Sequence, residues 1–162
     1  MPAGRAVLPD PETVSSEAMR LRLPQPFEDL AHTADVGVRV RGESAEEALG
    51  RLVLAFATLV TGGVPAEGAR EERLVVEGGP GLTGTAVALL RELLFRLATA
   101  REVPVEVEVE RVDERGAVAA VVFARHDPER HAEGADVKAV TWHAARLERE
   151  GGGWVGQMVF DV

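Results

Sequence analysis

The chain has 162 residues, 46% of them hydrophobic, a formal net charge of −9 at pH 7 and no cysteine. That length suits one domain with a single core, and the lack of cysteine excludes a disulfide framework and thiolate metal sites, leaving oxygens or the four histidines for any metal and making zinc a poor fit. The acidic balance excludes a broad basic surface for gripping phosphates, so strong direct nucleic-acid binding is not expected. No run approaches the ~20 apolar residues of a membrane span, and the N-terminus lacks the short apolar core of a signal peptide. The expectation is a cytoplasmic protein with no membrane contact.

Residues 1–26 hold five of the nine prolines with little periodicity and read as a disordered extension. Val36, Val38 and Val40 alternate with Gly37, Arg39 and Arg41, predicting a short half-buried strand. Ser44 and Glu47 have the spacing of a capping box, opening a helix whose apolar stripe runs through Ala45, Ala48, Leu49, Leu52, Phe56, Leu59 and Val60 and which Gly62 and Gly63 end. Residues 73–77 form a short strand. After the break at 78–81, a second helix over 83–99 carries Val87, Leu89, Leu90, Leu93, Leu94 and Leu97, an arc wide enough to predict burial on more than one side. Glu92, within it, reads as an exposed carboxylate.

From Val103 the period becomes two. Val103, Val105, Val107 and Val109 share one face, with Glu106, Glu108 and Glu110 on the other. Because side chains two apart point in parallel, the glutamates read as a solvated sheet face and not as a metal site. A turn at 113–116 leads to a second strand over 117–123, making a hairpin. Residues 125–131 are a polar loop holding His126 and His131, whose spacing matches no established zinc pattern; Arg125, Arg130 and His131 are its candidates for anion contact. A long strand starts at Asp136 and runs to about Glu148, and Gly151, Gly152 and Gly153 turn it into a last strand. His32 and His143 read as ordinary hydrogen-bonded histidines.

The order β-α-β-α-β-β-β-β defines an α+β fold: a mostly antiparallel sheet with two helices packed on one face. In the last strand, Trp154, Met158, Phe160 and Val162 share an apolar face, while Gln157 and Asp161 lie on the other with Val155 and Val159. Anchoring by the apolar face would hold Asp161 and Val162 in fixed places, whereas chain ends generally fray. A solvated Asp161 is the competing explanation. Lys138 is the single lysine among 18 basic residues, so its position is a candidate for one that selects a compact point charge over a planar fork.

Four segments taken together give the chain a resemblance to the archease family. They are Phe27-Glu28-Asp29-Leu30-Ala31-His32-Thr33-Ala34-Asp35-Val36-Gly37, Leu93-Leu94-Phe95, Asp136-Val137-Lys138-Ala139-Val140-Thr141-Trp142-His143 and the terminal Phe160-Asp161-Val162. The resemblance covers about residues 27–162, leaving 1–26 as the extension. It implies a small α+β accessory factor, not itself an enzyme, for the GTP-dependent RNA ligase that joins 2′,3′-cyclic-phosphate or 3′-phosphate ends to 5′-hydroxyl ends in tRNA splicing and RNA repair. Such a factor speeds guanylylation of the ligase and sustains multiple turnover. The resemblance also implies a divalent cation, Ca²⁺ in the family, on Asp35, Asp161 and Val162. Carboxylate and backbone oxygens are hard donors that suit Ca²⁺, Mg²⁺ or Mn²⁺. His32 and Lys138 are candidates for orienting or balancing these carboxylates. Two other readings stay open: a metal-dependent hydrolase, in which the ion activates water, and a chaperone-like scaffolding module indifferent to Asp35.

Overall fold

In the computed structural model, residues 19–31 and 35–162 are described. Among them the elements in chain order are β1 (Arg20–Arg22), β2 (Glu28–Ala31), β3 (Asp35–Gly42), α1 (Ala45–Thr61), β4 (Arg70–Glu77), α2 (Gly81–Ala100), β5 (Glu102–Asp113), β6 (Gly116–Arg125), β7 (Ala139–Glu150) and β8 (Gly153–Asp161). The strands form two four-stranded sheets, ordered β1-β5-β6-β4 and β2-β3-β8-β7, and every pairing is antiparallel. The α+β class holds, with a refinement: the strands divide between two sheets, and the helices lie between them. Helix α1 packs on β5 of the first sheet and on β3 and β8 of the second, while α2 packs on β7, β5 and β4. No helix among the described residues is long and apolar enough to cross a membrane.

The middle layer explains the burial of α1. Leu52, Val53, Leu54, Ala55 and Phe56 are consecutive and all at most 1% exposed; at 100° per residue, five in a row cover every side of a helix. The expected stripe was one face of this helix, and Val53, Leu54 and Ala57 fill the rest. In α2 the wide burial holds for the first half, and Arg91 and Phe95 emerge from the second.

The start of α1 is built as its spacing predicts, with a displacement of one residue. Ser44 Oγ accepts from Glu47 N–H at 3.0 Å, but the Glu47 carboxylate accepts from Glu43 N–H at 2.7 Å and not from Ser44 N–H. Gly62 closes the helix in the left-handed region at φ 68°, a conformation that costs glycine nothing.

Residues 20–22 correct the expected boundary of the disordered extension. They pair with Glu106, Val107 and Glu108, and Leu21 is 5% exposed. Room for it comes from Gly50 in mid-helix, where an added Cβ would lie 2.8 Å from Leu21 Cδ1. Arg20 bridges Glu71, Glu106 and Glu108, and Arg73 grips Glu110 at 2.7 Å. The glutamate row of β5 is therefore a face laced by arginines from the strands on either side of the hairpin, and no metal ligand set.

Candidate functional site

Strand β8 runs through the middle of the second sheet, between β3 and β7. Its apolar face is fixed in the core: Met158 and Phe160 are fully buried, and the Phe160 ring lies 5.8 Å from that of Phe56. The last register positions pair Asp161 with Asp35 on one side and with Ala139 on the other. Lys138 N–H donates to Asp161 C=O at 2.8 Å. Asp161 is thus held by backbone on both flanks, as an anchored strand end requires.

Alternation places Asp35 and Asp161 together on the face turned away from the helices, since Val38 and Phe160 occupy the helix face. Residues directly opposite in an antiparallel pair have Cβ atoms about 4.5–5.5 Å apart, and like charges there repel. Asp35 is half-buried and Asp161 exposed. Among the described residues neither takes part in an ion pair, and no group of three or more His, Cys, Asp or Glu side chains converges. The protein side chains therefore supply a pair of hard oxygen donors, which a backbone oxygen of Val162, one residue on and 42% exposed, can extend. That donor chemistry fits Ca²⁺, Mg²⁺ or Mn²⁺ with the rest of the shell supplied from outside. Lys138 is exposed beside this end of the sheet, and His32 lies outside the described residues.

Three features near the acids left no sequence signal. Strand β7 bulges between Thr141 and Arg146, which pair with Val159 and Gln157, so four residues stand against one. Ala144 in the bulge has φ 58°, and Trp142 is 45% exposed. Gln157, 7% exposed, clamps this bulge by donating to Ala144 C=O at 2.8 Å while accepting from Arg39 Nε at 2.8 Å. From α2, Arg91 donates to Val140 C=O at 3.1 Å, tying the helix to the strand that flanks Asp161. An Arg on a helix and a Gln in a strand carry no periodicity that would single them out.

The remaining candidates resolve into structure. Glu92 pairs with Arg96 one turn on. His143 is exposed in the bulge. In the polar loop His131 is 3% exposed, its Nδ1 accepting from Asp127 N–H at 2.9 Å, and it stacks on His126 at 5.1 Å. Arg130 donates to Pro65 C=O. The loop is a packed connection whose histidines serve the fold. At the edge of the first sheet, the Arg96 and Arg70 guanidiniums hold the Glu72 carboxyl down at about 2.

Fold and geometry together define a small α+β protein in which two acids, Asp35 and Asp161, stand paired at the end of the last strand, with no group of three or more His, Cys, Asp or Glu side chains gathered as a metal cluster among the described residues. The Archease protein family (MTH1598/TM1083) matches residues 27–162, and the chain belongs to that family. It is 32% identical over 144 residues to protein archease of Methanopyrus kandleri, covering 85% of this chain and 99% of that one. It is 31% identical over 140 residues to the archease of Methanosarcina mazei, covering 84% and 95%. The solution structure of protein 1598 from Methanobacterium thermoautotrophicum superposes with a TM-score of 0.63 at 25% identity, over 84% of this chain and 98% of that one. An archease from Thermotoga maritima, described as a possible chaperone, shares the fold with a TM-score of 0.54 at 18% identity, over 88% and 99%.

Proposed function

We propose that the chain is a cytoplasmic accessory factor of a GTP-dependent RNA ligase that joins 2′,3′-cyclic-phosphate or 3′-phosphate ends to 5′-hydroxyl ends. In this role it promotes guanylylation of the ligase and its repeated turnover, in tRNA splicing and RNA repair. The observation that carries the reading is the in-register pairing of Asp35 with Asp161 in a member of the archease family. Asp35, Asp161 and a backbone oxygen of Val162 would hold a divalent cation, Ca²⁺ or its hard relatives, with Lys138 and His32 balancing the charge. A divalent cation held there supplies positive charge for phosphate oxygens. The chain's own part is to fix the donors: β8 is locked by burial on both faces, and the two acids stay close because β3 cannot slip by one residue without moving Val38 and Val40 out of the core.

Nothing in the site requires the chain to bind RNA itself, which agrees with its net charge of −9. The test combines the purified chain and the ligase with GTP and RNA carrying 3′-phosphate and 5′-hydroxyl ends. Substoichiometric chain raises ligation, and the chain alone neither ligates RNA nor hydrolyses nucleotide. Sustained turnover by the chain alone would replace this reading with that of a metal-dependent hydrolase.

A further inference from the structure

Strand β7 puts a large apolar side chain where alternation would not. Val140 is buried and Thr141 follows it on the opposite face, so in a regular strand Trp142 would turn back towards the core. Instead Trp142 is 45% exposed, and Ala145, three residues on, packs against the core in its place. The cause is the bulge, in which residues 142–145 stand against Met158 alone, between the pairs Thr141–Val159 and Arg146–Gln157. Holding this shape takes an Ala144 in the left-handed region at φ 58°, a conformation unfavourable to any residue with a Cβ. It also takes both ends of the buried Gln157 amide, which donates to Ala144 C=O and accepts from Arg39 Nε. A regular ladder would need none of these, and bulges commonly serve to re-aim a side chain.

Trp142 is also close to the acid pair. It lies three residues along β7 from Ala139, which pairs with Asp161, a displacement of about 10 Å at ~3.3 Å per residue. Asp35, Asp161 and Val162 leave most of a cation's shell to oxygens from outside the chain, and a partner that supplies them has to cover this end of the second sheet. An ordinary protein interface takes about 800 Å² on each side, a disc of roughly 16 Å radius, so a footprint centred on the acids takes in Trp142. Tryptophan is among the residues most enriched where such interfaces are strongest. The net charge of −9 disfavours a nucleic acid as the occupant. We propose that Trp142 is the docking anchor for the protein that completes the acid site, the RNA ligase of the proposed function. The bulge of β7 is what presents it. This inference rests on the accessory role and adds to it the residue that holds the partner, as distinct from the acids that act on it.

Titrating the ligase with the full chain, and reading ligation of RNA with 3′-phosphate and 5′-hydroxyl ends, gives a half-saturating concentration and a plateau. Trp142→Ala is expected to raise the first by about thirtyfold, the effect of truncating an interface hot spot. The plateau, the melting temperature and the response to Ca²⁺ stay near those of the parent, because the side chain is exposed and supplies no oxygen to the acids. Trp142→Phe, which keeps an aromatic anchor, falls between the two. Asp35→Asn lowers the plateau instead, which separates the anchor from the cation site. If the parent stimulates and Trp142→Ala has the same half-saturating concentration, or loses plateau alone, the anchor is overturned and the accessory role stands. A parent that never stimulates the ligase overturns the accessory role and, with it, the occupant proposed for Trp142. Emission of Trp142, taken as the difference between the parent and Trp142→Phe, should be unchanged by GTP or by the RNA alone; quenching by either would replace a protein contact with base stacking.

Discussion

Asp35 and Asp161 stand directly opposite one another across β3 and β8, on the sheet face away from both helices. Two like charges at such a pair cost about 0.2–1 kcal/mol, and they make the end of the sheet a place that a cation stabilises. Asp35→Asn therefore raises the melting temperature of the metal-free chain slightly. If the proposed site binds Ca²⁺, added Ca²⁺ is expected to stabilise the parent by about 2.7 kcal/mol at 100 times its dissociation constant, and Asp35→Asn is expected to lose both that shift and ligase stimulation. Calorimetry with and without Ca²⁺ checks the first part, and a variant that stimulates normally would reduce Asp35 to a surface acid.

In the proposed site Val162 would offer a bound ion a carbonyl dipole, or a full charge where its α-carboxyl is free. Appending a short neutral tag after Val162 removes the charge from that place and crowds the acids, while the same tag before Met1 lies far along the sequence. The tag after Val162 is expected to weaken Ca²⁺ binding and ligase stimulation markedly, with the other tag harmless. Equal titrations for the two would leave Val162 with a carbonyl at most.

Acid sensitivity should have a source in each sheet, Glu150 in the second, held down at about 2 by the Arg41 and Arg146 guanidiniums, and Glu72 in the first. Glu72 is held down at about 2 by the Arg96 and Arg70 guanidiniums, against an ordinary value of 4.5. A carboxyl lowered in the folded state adds stability that is full above its unfolded value and is lost as pH falls towards the folded one. Urea melts stepped from about pH 5 to about pH 2 should show the parent losing stability faster than Glu72→Gln. Parallel slopes would mean that Glu72 contributes nothing to the acid limb.

Gly50 and Leu21 are coupled by space. Alanine gains about 1 kcal/mol over glycine inside a helix, but a Cβ at position 50 would meet Leu21 Cδ1 at 2.8 Å. Gly50→Ala is therefore expected to show that gain only in the Leu21→Ala background, where the obstructing methyl is absent. Chemical denaturation of the four members of the cycle measures the coupling, and additive effects would show that Leu21 shifts aside freely.

How much of this was legible varied with the range of the interaction involved. The ends of α1, the 113–116 hairpin and the split of β8 into Phe160 and Asp161 faces depend on neighbours in sequence, and periodicity and turn residues carry them. The partition into two sheets depends on whether the β5–β6 and β7–β8 hairpins join, which no local pattern encodes. Strand β1 is invisible for the same reason: its three residues are held by Gly50, Val107 and a row of glutamates far along the chain. The acid pair was reachable only through the family resemblance, because Asp35 and Asp161 become neighbours through a register that no sequence spacing between them specifies. Gln157 and Arg91, which brace the strands around the pair, carry no such signal.

Helix α1, surrounded on every side, bears on how the molecule opens. Its amides lie between the two sheets and can meet solvent only when those layers separate, so their hydrogen exchange should track the global unfolding free energy while the ends of α2 exchange through smaller openings. A cation gripped by Asp35 and Asp161 touches only the second sheet, yet its binding should slow exchange throughout α1, because that helix is the layer both sheets must release together.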